Sequence, residues 1–181
     1  QFELQWSHWI KHNKYKIGVA WFCPMDVSIR AANWIMALLI SEQSFSNHRL
    51  HDEIIKVLYL HGRFVLENLE TYAPGNHLIG DLIGLIFLGT FFQGEEADQW
   101  LDIGYQMLFD QIDYQFYDGV HFEHSIAYHF LVTEFITYSI VLTKFNKKKI
   151  PSKYITEYKK MIDFIYFYTM PNGLAPLIGD S

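Results

Sequence analysis

The strongest constraint on this chain is the way its apolar residues recur. They return every three or four positions over long stretches, the spacing that places side chains on one face of an α-helix, and convincing strand alternation is missing. Gly- and Pro-containing breakers interrupt the pattern at intervals of about 20 to 30 residues. We therefore predict an all-α chain of helical hairpins, with helices over residues 2–11, 25–41, 47–70, 77–92, 95–116, 123–144 and 152–168.

Three predicted loops carry clusters of polar and aromatic residues, at positions 21–26, 72–77 and 117–123. A string of helical hairpins could close into a bundle, stack into a solenoid or curl into an α/α toroid around a cleft. A solenoid would show internal repeats, and we find none that is convincing. If alternate loops lie at one end of the fold, the three clusters meet there and can build a site.

Composition and charge exclude several classes of function. The net charge of −6 argues against a nucleic-acid-binding protein, which needs a basic face. The lone Cys23 excludes an internal disulfide framework and a multi-cysteine metal site. The most apolar stretch, 78–92, is shorter than the ~20 residues that span a bilayer and includes Asp81, so we predict a buried helix and no membrane span.

Two groups of residues invite a functional interpretation and an ordinary one. His77 and Asp81 are four residues apart, so the acid could orient the histidine for acid or base catalysis. Spacing alone favours the alternative, a helix start that Asn76 caps.

Arg30 lies in an apolar helix and needs a partner. That partner could be Asp26, or Arg30 could bind an anionic ligand with Trp34 as a stacking wall.

The segment 117–128, YDGVHFEHSIAY, places Glu123, His124 and Tyr128 after a turn signal. These side chains could form one wall of an active site. The alternative, which the pattern by itself favours, is that Tyr128 packs its ring and hydrogen-bonds its hydroxyl. The histidines here lack an H-E-x-x-H spacing, and no paired cysteines accompany them, so we predict no metal among them.

Taken in order, the segments MDVSIRAANW, APGNHLIGDLIGLIFLG, DGVHFEHSIAYH and NGLAPLIGDS resemble the heparinase II/III family of polysaccharide lyases. The resemblance covers the chain from about Trp21 to its end, and four motifs in one order are hard to obtain by chance. It implies that residues 1–170 are part of an incomplete α/α toroid. It also implies that residues 171–181 start a linker into a C-terminal β-sandwich domain, which this sequence does not contain.

The resemblance further implies an activity. Family members cleave acidic glycans by β-elimination: a base removes the C5 proton of a 4-linked uronic acid, an acid assists the departing C4 oxygen, and donors neutralise the carboxylate. Carried over position by position, it assigns catalytic roles to Tyr128, His77 and Asn76. It assigns substrate binding to Arg30 and Glu123, and we expect the ring of Trp34 to pack against a sugar.

Further expectations rest on the same resemblance. Asp81 stands where the family pattern has Glu, so its reach to His77 is shorter. No cofactor is expected in this segment, while a structural metal would belong to the missing C-terminal domain. The implied partner is an acidic polysaccharide, and the implied location is the periplasm or cell envelope of a bacterium. The oligomeric state is left open.

Two other classes of function stay open beside the lyase. One is a non-catalytic glycan-binding or polysaccharide-assembly protein that keeps the helical cleft. The other is a purely structural helical scaffold, which would be favoured if Arg30, His77 and Tyr128 lay on separate surfaces. If the chain is a lyase fragment, we expect it to lack full activity by itself.

Overall fold

The computed structural model describes residues 2–41, 45 and 47–180, and the described part is almost entirely helical. Its elements, in chain order, are α1 Phe2–His12, a 3₁₀ turn Val19–Trp21, α2 Pro24–Ser41, α3 His48–Glu67, α4 Asn76–Phe91, α5 Glu95–Gln115, β1 Phe116–Tyr117, β2 Val120–His121, α6 Ile126–Phe145 and α7 Ser152–Tyr168. Every predicted helix is present. The largest differences are at the end of α3 and the start of α6, where loop residues replace predicted helix.

The helices form an inner and an outer layer. The inner helices α2, α4 and α6 contact one another in that order. The outer helices α3, α5 and α7 each pack against the inner helix that precedes them, and α1 lies against α3. This alternation of inner and outer helices is the arrangement of an arc of an α/α toroid, which confirms the predicted fold class.

Helix α4 occupies the centre of the arc. It contacts α2, α3, α5 and α6, and its residues are apolar and buried on nearly every side. Its glycines allow this crowding: a Cβ added to Gly84 would overlap Ser28 of α2, and one added to Gly89 would lie 2.6 Å from the carbonyl oxygen of Ala97 in α5. The spaced glycines of this segment therefore serve close helix packing.

A short hairpin joins α5 to α6. Strands β1 and β2 pair antiparallel around Asp118 and Gly119, whose positive φ values of 49° and 81° are those of a tight two-residue hairpin turn. The Gly119 N–H donates to Oε1 of Glu157 in α7 at 2.6 Å, which docks the hairpin on the outer layer. The sequence analysis predicted the turn but not the strands, because two-residue strands are too short to show alternation.

By length and composition alone, one described helix could cross a bilayer, and it is α6, with a mean hydropathy of 1.4. The most apolar stretch of the sequence, 78–92, is part of the shorter helix α4 instead. In the fold, α6 packs between α4 and α7 and buries several polar side chains, among them His129, Thr133 and Ser139. These contacts are those of a helix within a helical assembly.

Candidate active site

The N-terminal ends of the three inner helices lie together. Cys23, immediately before α2, places its sulfur 4.0 Å from Nδ1 of His77 in the first turn of α4. Asn76, which begins α4, is hydrogen-bonded to Glu123, three residues before α6. We call this end of the fold the mouth and define it by the loops 18–23, 68–75 and 118–125. The polar loop clusters therefore converge, as their alternation with the helices led us to expect.

Asn76 is held in place by Glu123. Its backbone N–H and its side-chain Nδ2 each donate to one carboxylate oxygen of Glu123, both at 2.8 Å. The N-cap residue Gly75 has no side chain to bond the helix end, so Glu123 does so from 47 positions away in the sequence. A Cβ on Gly75 would collide with the Glu123 carboxylate. Glu123 thus has the geometry of an orienting group, and its predicted contact with a sugar stays a prediction.

His77 is oriented by Glu70. Its Nδ1 lies 3.1 and 3.3 Å from the two carboxylate oxygens of Glu70. Because an ionised carboxylate can only accept, Nδ1 carries the proton. The Nε2 atom has no hydrogen-bond partner among the described residues, and the side chain is 46% exposed. His77 therefore combines an unbonded Nε2 with a half-exposed side chain at the mouth.

The predicted support of His77 by Asp81 is wrong. Asp81 is fully buried, and its Oδ2 accepts the backbone N–H of Glu70 at 2.9 Å. Burial raises the pKa of Asp81 to about 8, against the opposing effect of that hydrogen bond. Asp81 thus fixes the loop, and the loop residue Glu70 contacts the histidine. Spacing had predicted that Asp81 would orient His77, whereas in the fold Glu70 contacts the ring and Asp81 holds the Glu70 backbone.

Arg30 is bonded to neutral partners. Its Nε donates to Nε2 of His61 at 2.9 Å, and its Nη2 donates to the carbonyl oxygen of Ala20, in the loop before α2, at 2.8 Å. Among the described residues no carboxylate lies within salt-bridge distance, so the predicted alternative of a pair with Asp26 is wrong. The guanidinium keeps further N–H groups for an anionic ligand.

His61 is a buried neutral acceptor for Arg30. Its Nδ1 donates to the carbonyl oxygen of Val57 at 2.7 Å, which leaves the lone pair of Nε2 for the guanidinium. Burial, and next the positive charge of Arg30, lower the pKa of His61 to about 3. Burial also lowers the pKa of Arg30 to about 10, so the guanidinium stays charged at neutral pH.

Trp34 does not form the stacking wall of Arg30. The guanidinium carbon lies 4.6 Å from the ring centroid of Trp9 and 5.4 Å from that of Trp21. The hydrogen bond from Arg30 to the carbonyl oxygen of Ala20 holds the guanidinium beside these two rings. Trp34 packs edge-on against Trp9, with ring centroids 4.9 Å apart, and both line a groove of about 280 Å³ beside α1. A role of Trp34 in packing on a sugar stays a prediction.

Tyr128 lies in the first turn of α6, half-buried. Ser125 caps this helix by accepting the Tyr128 N–H at 3.2 Å, and the Ser125 hydroxyl donates to the carbonyl oxygen of Asp180 at 3.1 Å. The Tyr128 hydroxyl has no hydrogen-bond partner in the described part of the chain, in contrast to the packed, bonded tyrosine that the pattern by itself favoured. It is free to meet a ligand.

The remaining histidines of the hairpin are structural. His121 bonds the Oε1 of Gln115 through Nε2 at 2.8 Å, and its backbone N–H donates to Nδ1 of His129. Nε2 of His129 lies 3.2 Å from the carbonyl oxygen of Met161. Burial lowers the pKa of His121 to about 4 and also lowers the pKa of His129. Both rings are therefore neutral and bonded within the protein, while His124 is exposed.

Sequence reasoning missed three residues that shape the mouth. Glu70 lies in the loop after α3 and Gln115 at the end of α5, and no local sequence pattern predicts the contacts that they make with α4. Gln115 bonds the Gly75 carbonyl at 3.1 Å and so ties the hairpin to the start of α4. His61 did leave a signal: it shares the apolar face of α3 with Leu58 and Val65, where a polar ring requires partners.

Comparison with known proteins gives a consistent result. Residues 1–181 match the family described as Heparinase II/III N-terminus. A heparin-sulfate lyase of Bacteroides stercoris is 24% identical over the whole chain, which covers 28% of that protein. A heparin-sulfate lyase of Pedobacter heparinus is 27% identical over 65% of this chain and 20% of its own length. The chain thus spans little more than a quarter of the first of these relatives.

Two solved structures share the fold. The crystal structure of Heparinase III matches with a TM-score of 0.80 and 24% identity, over 94% of this chain and 27% of the other. Heparan sulfate lyase HepC from Pedobacter heparinus matches with a TM-score of 0.71 and 21% identity, over 97% of this chain and 29% of the other. At these identities the likeness concerns the fold, and it agrees with the arc of an α/α toroid.

Proposed function

Because this chain belongs to the heparinase II/III family, we propose that it is part of a polysaccharide lyase that cleaves a uronate-containing acidic glycan by β-elimination. The observation that carries the proposal is the meeting of Asn76, His77 and Glu123 at the mouth, beside the start of the helix that bears Tyr128. The two heparin-sulfate lyase relatives support the same class of substrate.

Removal of the C5 proton places negative charge on the uronate carboxylate, and catalysis requires donors that are already aimed at it. Asn76 suits this role because one N–H of its buried amide is bonded to Glu123 and the other has no partner among the described residues. Its backbone is fixed at the same time by the second oxygen of Glu123. Little rearrangement of the amide is then needed when the charge develops.

Tyr128 suits the proton transfers because its hydroxyl has no competing partner in the described chain. In the proposed reaction the phenolate oxygen takes the C5 proton, a double bond forms between C4 and C5, and the bond from C4 to the glycosidic oxygen breaks. The phenol then returns its proton to the leaving oxygen, so the tyrosine ends as it began. His77 presents Nε2 to the same mouth, with its ring orientation fixed by Glu70.

The net charge of −6 does not prevent the binding of a polyanion. Three inner helices direct their N-terminal ends, which carry partial positive charge, towards the mouth. Arg30 adds a full charge that no carboxylate among the described residues pairs with directly. The partly exposed ring of Trp9 beside the guanidinium offers flat apolar surface, which suits a sugar face, while Trp21 is buried beneath it.

The test is a lyase assay on the full-length protein with a panel of uronate-containing polysaccharides, following the ultraviolet absorbance of the unsaturated product. Tyr128→Phe should lower kcat by about 10²–10⁴, the usual contribution of acid and base catalysis, while glycan binding is retained. Tyr117→Phe is the matched control, since Tyr117 is an exposed tyrosine of the preceding hairpin. It should behave as the wild type.

Two outcomes would count against the proposal. If no glycan yields unsaturated product but one binds, the non-catalytic glycan-binding alternative is favoured. If a glycan is cleaved and Tyr128→Phe is as active as Tyr117→Phe, the chemistry belongs to other residues. Since the chain spans only part of its relatives, we also propose that the rest of the whole protein contributes to the cleft, so residues 1–181 alone should turn over more slowly.

A further inference from the structure

A second chemical feature lies at one side of the mouth. The thiol of Cys23, the carboxylate of Glu70 and the imidazole of His77 come from three different segments, yet their ligand atoms all lie within 4.8 Å of one another. The Cys23 sulfur is 4.0 Å from Nδ1 of His77, and that nitrogen is 3.1 Å from the nearer Glu70 oxygen. The proposed elimination does not use the thiol.

Two of the three separations between ligand atoms are close to the edges of a tetrahedral metal site, and the third, from the Cys23 sulfur to a Glu70 oxygen, is within 4.8 Å. With a zinc–sulfur bond of ~2.3 Å and zinc–nitrogen and zinc–oxygen bonds of ~2.0 Å, tetrahedral angles separate sulfur from nitrogen by ~3.5 Å and nitrogen from oxygen by ~3.3 Å. The separations of 4.0 and 3.1 Å differ from these by no more than a small side-chain adjustment. We propose that Cys23, Glu70 and His77 bind Zn²⁺, with the fourth coordination position open to water.

The ligand types select the metal. Thiolate and imidazole are ligands of zinc and similar cations, whereas calcium and magnesium require oxygen atoms. A thiolate and a carboxylate together balance the two charges of the ion, so the occupied site is neutral and one unit of charge more positive than the empty site. His121 and His129, the other histidines behind the mouth, are engaged with protein atoms and offer no such set.

The three ligands sit on supported backbone. Cys23 directly precedes α2, and its carbonyl oxygen accepts the Val27 N–H at 3.2 Å, as the first bond of that helix. Glu70 is fixed by its N–H bond to buried Asp81. His77 belongs to the first turn of the buried helix α4. A preformed site loses little conformational entropy when the ion enters.

Binding also changes the state of His77. The Cys23 thiol releases its proton to solvent, and the proton on Nδ1 of His77 moves to Nε2, so one proton leaves for each ion bound. Nε2 then faces the mouth as a fixed N–H donor instead of a lone pair. Sequence analysis predicted no metal in this segment because it considered only the hairpin histidines. The present site arises from positions 54 residues apart.

Binding can be measured without any glycan, so the result does not depend on the proposed lyase activity. Metal-free protein is titrated with Co²⁺ as a spectroscopic substitute for Zn²⁺, and the thiolate-to-cobalt charge-transfer band is followed in the near ultraviolet. Because Cys23 is the only cysteine of the chain, such a band identifies its sulfur as the ligand. We expect one equivalent to saturate the band, and Zn²⁺ to displace the cobalt.

Single-residue variants distinguish metal binding by Cys23, Glu70 and His77 from unspecific metal binding elsewhere on the protein. Cys23→Ser should abolish the band, and His77→Gln or Glu70→Gln should weaken Zn²⁺ binding by at least about 100-fold, since even outer contacts of metal ligands contribute 10–100-fold. His51→Gln is the matched control: His51 lies 3.8 Å from Asp52 on the surface and has no cysteine nearby. It should bind as the wild type. Absence of the band, or equal affinity in His77→Gln and His51→Gln, would overturn the site.

Discussion

The replacement Glu123→Gln tests whether the start of α4 depends on a distant carboxylate. It preserves the size of the side chain but removes its charge and turns one acceptor oxygen into a donor amide. In the wild type both oxygens accept from Asn76 at 2.8 Å. In the variant one of these two donors must face the new NH₂ group, which cannot accept its hydrogen.

The magnitude follows from these contacts. A hydrogen bond to a charged group contributes ~1.5–3 kcal/mol, and the variant loses one such bond and converts the other to a neutral one. The lost charge at a helix N-terminus adds up to ~1 kcal/mol. We therefore expect a fall of about 2–5 kcal/mol in the free energy of unfolding, which for a chain of this size lowers Tm by about 4–20 °C.

Thermal and urea denaturation, followed by circular dichroism, measure this loss. The matched control is Glu95→Gln, which removes the same charge from an exposed position in the first turn of α5. Glu95 has no contact with a described residue like the one between Glu123 and Asn76. The free energy of unfolding should therefore fall clearly less in Glu95→Gln than in Glu123→Gln. If the two variants unfold at the same midpoint, the contact between loop and helix does not stabilise the fold and the reasoning fails.

Three further predictions concern other parts of the fold. Burial and the charge of Arg30 lower the pKa of His61 to about 3, below its unfolded value of ~6.5. The stability gained from the neutral ring is therefore complete above about pH 6.5 and is lost as the pH falls towards 3. His61→Gln, which cannot titrate, should lose less stability than the wild type between about pH 7 and pH 4 in urea titrations; parallel losses would refute this. Gly119→Ala forces a Cβ at φ 81° against the backbone of Lys160 and should cost about 1–3 kcal/mol in the same assay, whereas an unchanged midpoint would mean that the hairpin can move away. Asp102→Asn breaks an exposed ion pair and should leave the urea midpoint unchanged; a clear shift would show that this pair matters.

The helices could be predicted from local pattern, whereas their layering as an arc of a toroid was implied only by the family resemblance. Helical periodicity and breakers give every helix, because each needs only its own apolar face and its own terminators. Because successive helices run in opposite directions, alternate loops lie at the same end of the fold, and the polar loop clusters meet there. The short strands flanking Asp118 and Gly119 could not be predicted in this way, since their pairing depends on the turn and on docking against Glu157.

The partners within the mouth could not be predicted because they are distant in sequence. Spacing assigned Asp81 to His77, since i,i+4 pairs share a helix face. That rule omits the loop before the helix, where Glu70 reaches the ring while Asp81 bonds the Glu70 backbone. Likewise Asn76 was expected to cap its own helix, yet its amide is bonded to Glu123 across 47 positions.

The three proposed catalytic residues differ in how the protein holds their side chains. Asn76 and His77 are each held by a carboxylate from another loop, so their orientation is set before any ligand arrives. Tyr128 has only its backbone held, by Ser125, and its hydroxyl is left without a protein partner among the described residues. Groups that stabilise charge work best when they are fixed, since reorganisation in the transition state costs energy. A group that both accepts and returns a proton must have an oxygen that the substrate can reach. The difference in bonding between Tyr128 and the pair of Asn76 and His77 suits the roles that the proposed elimination gives them.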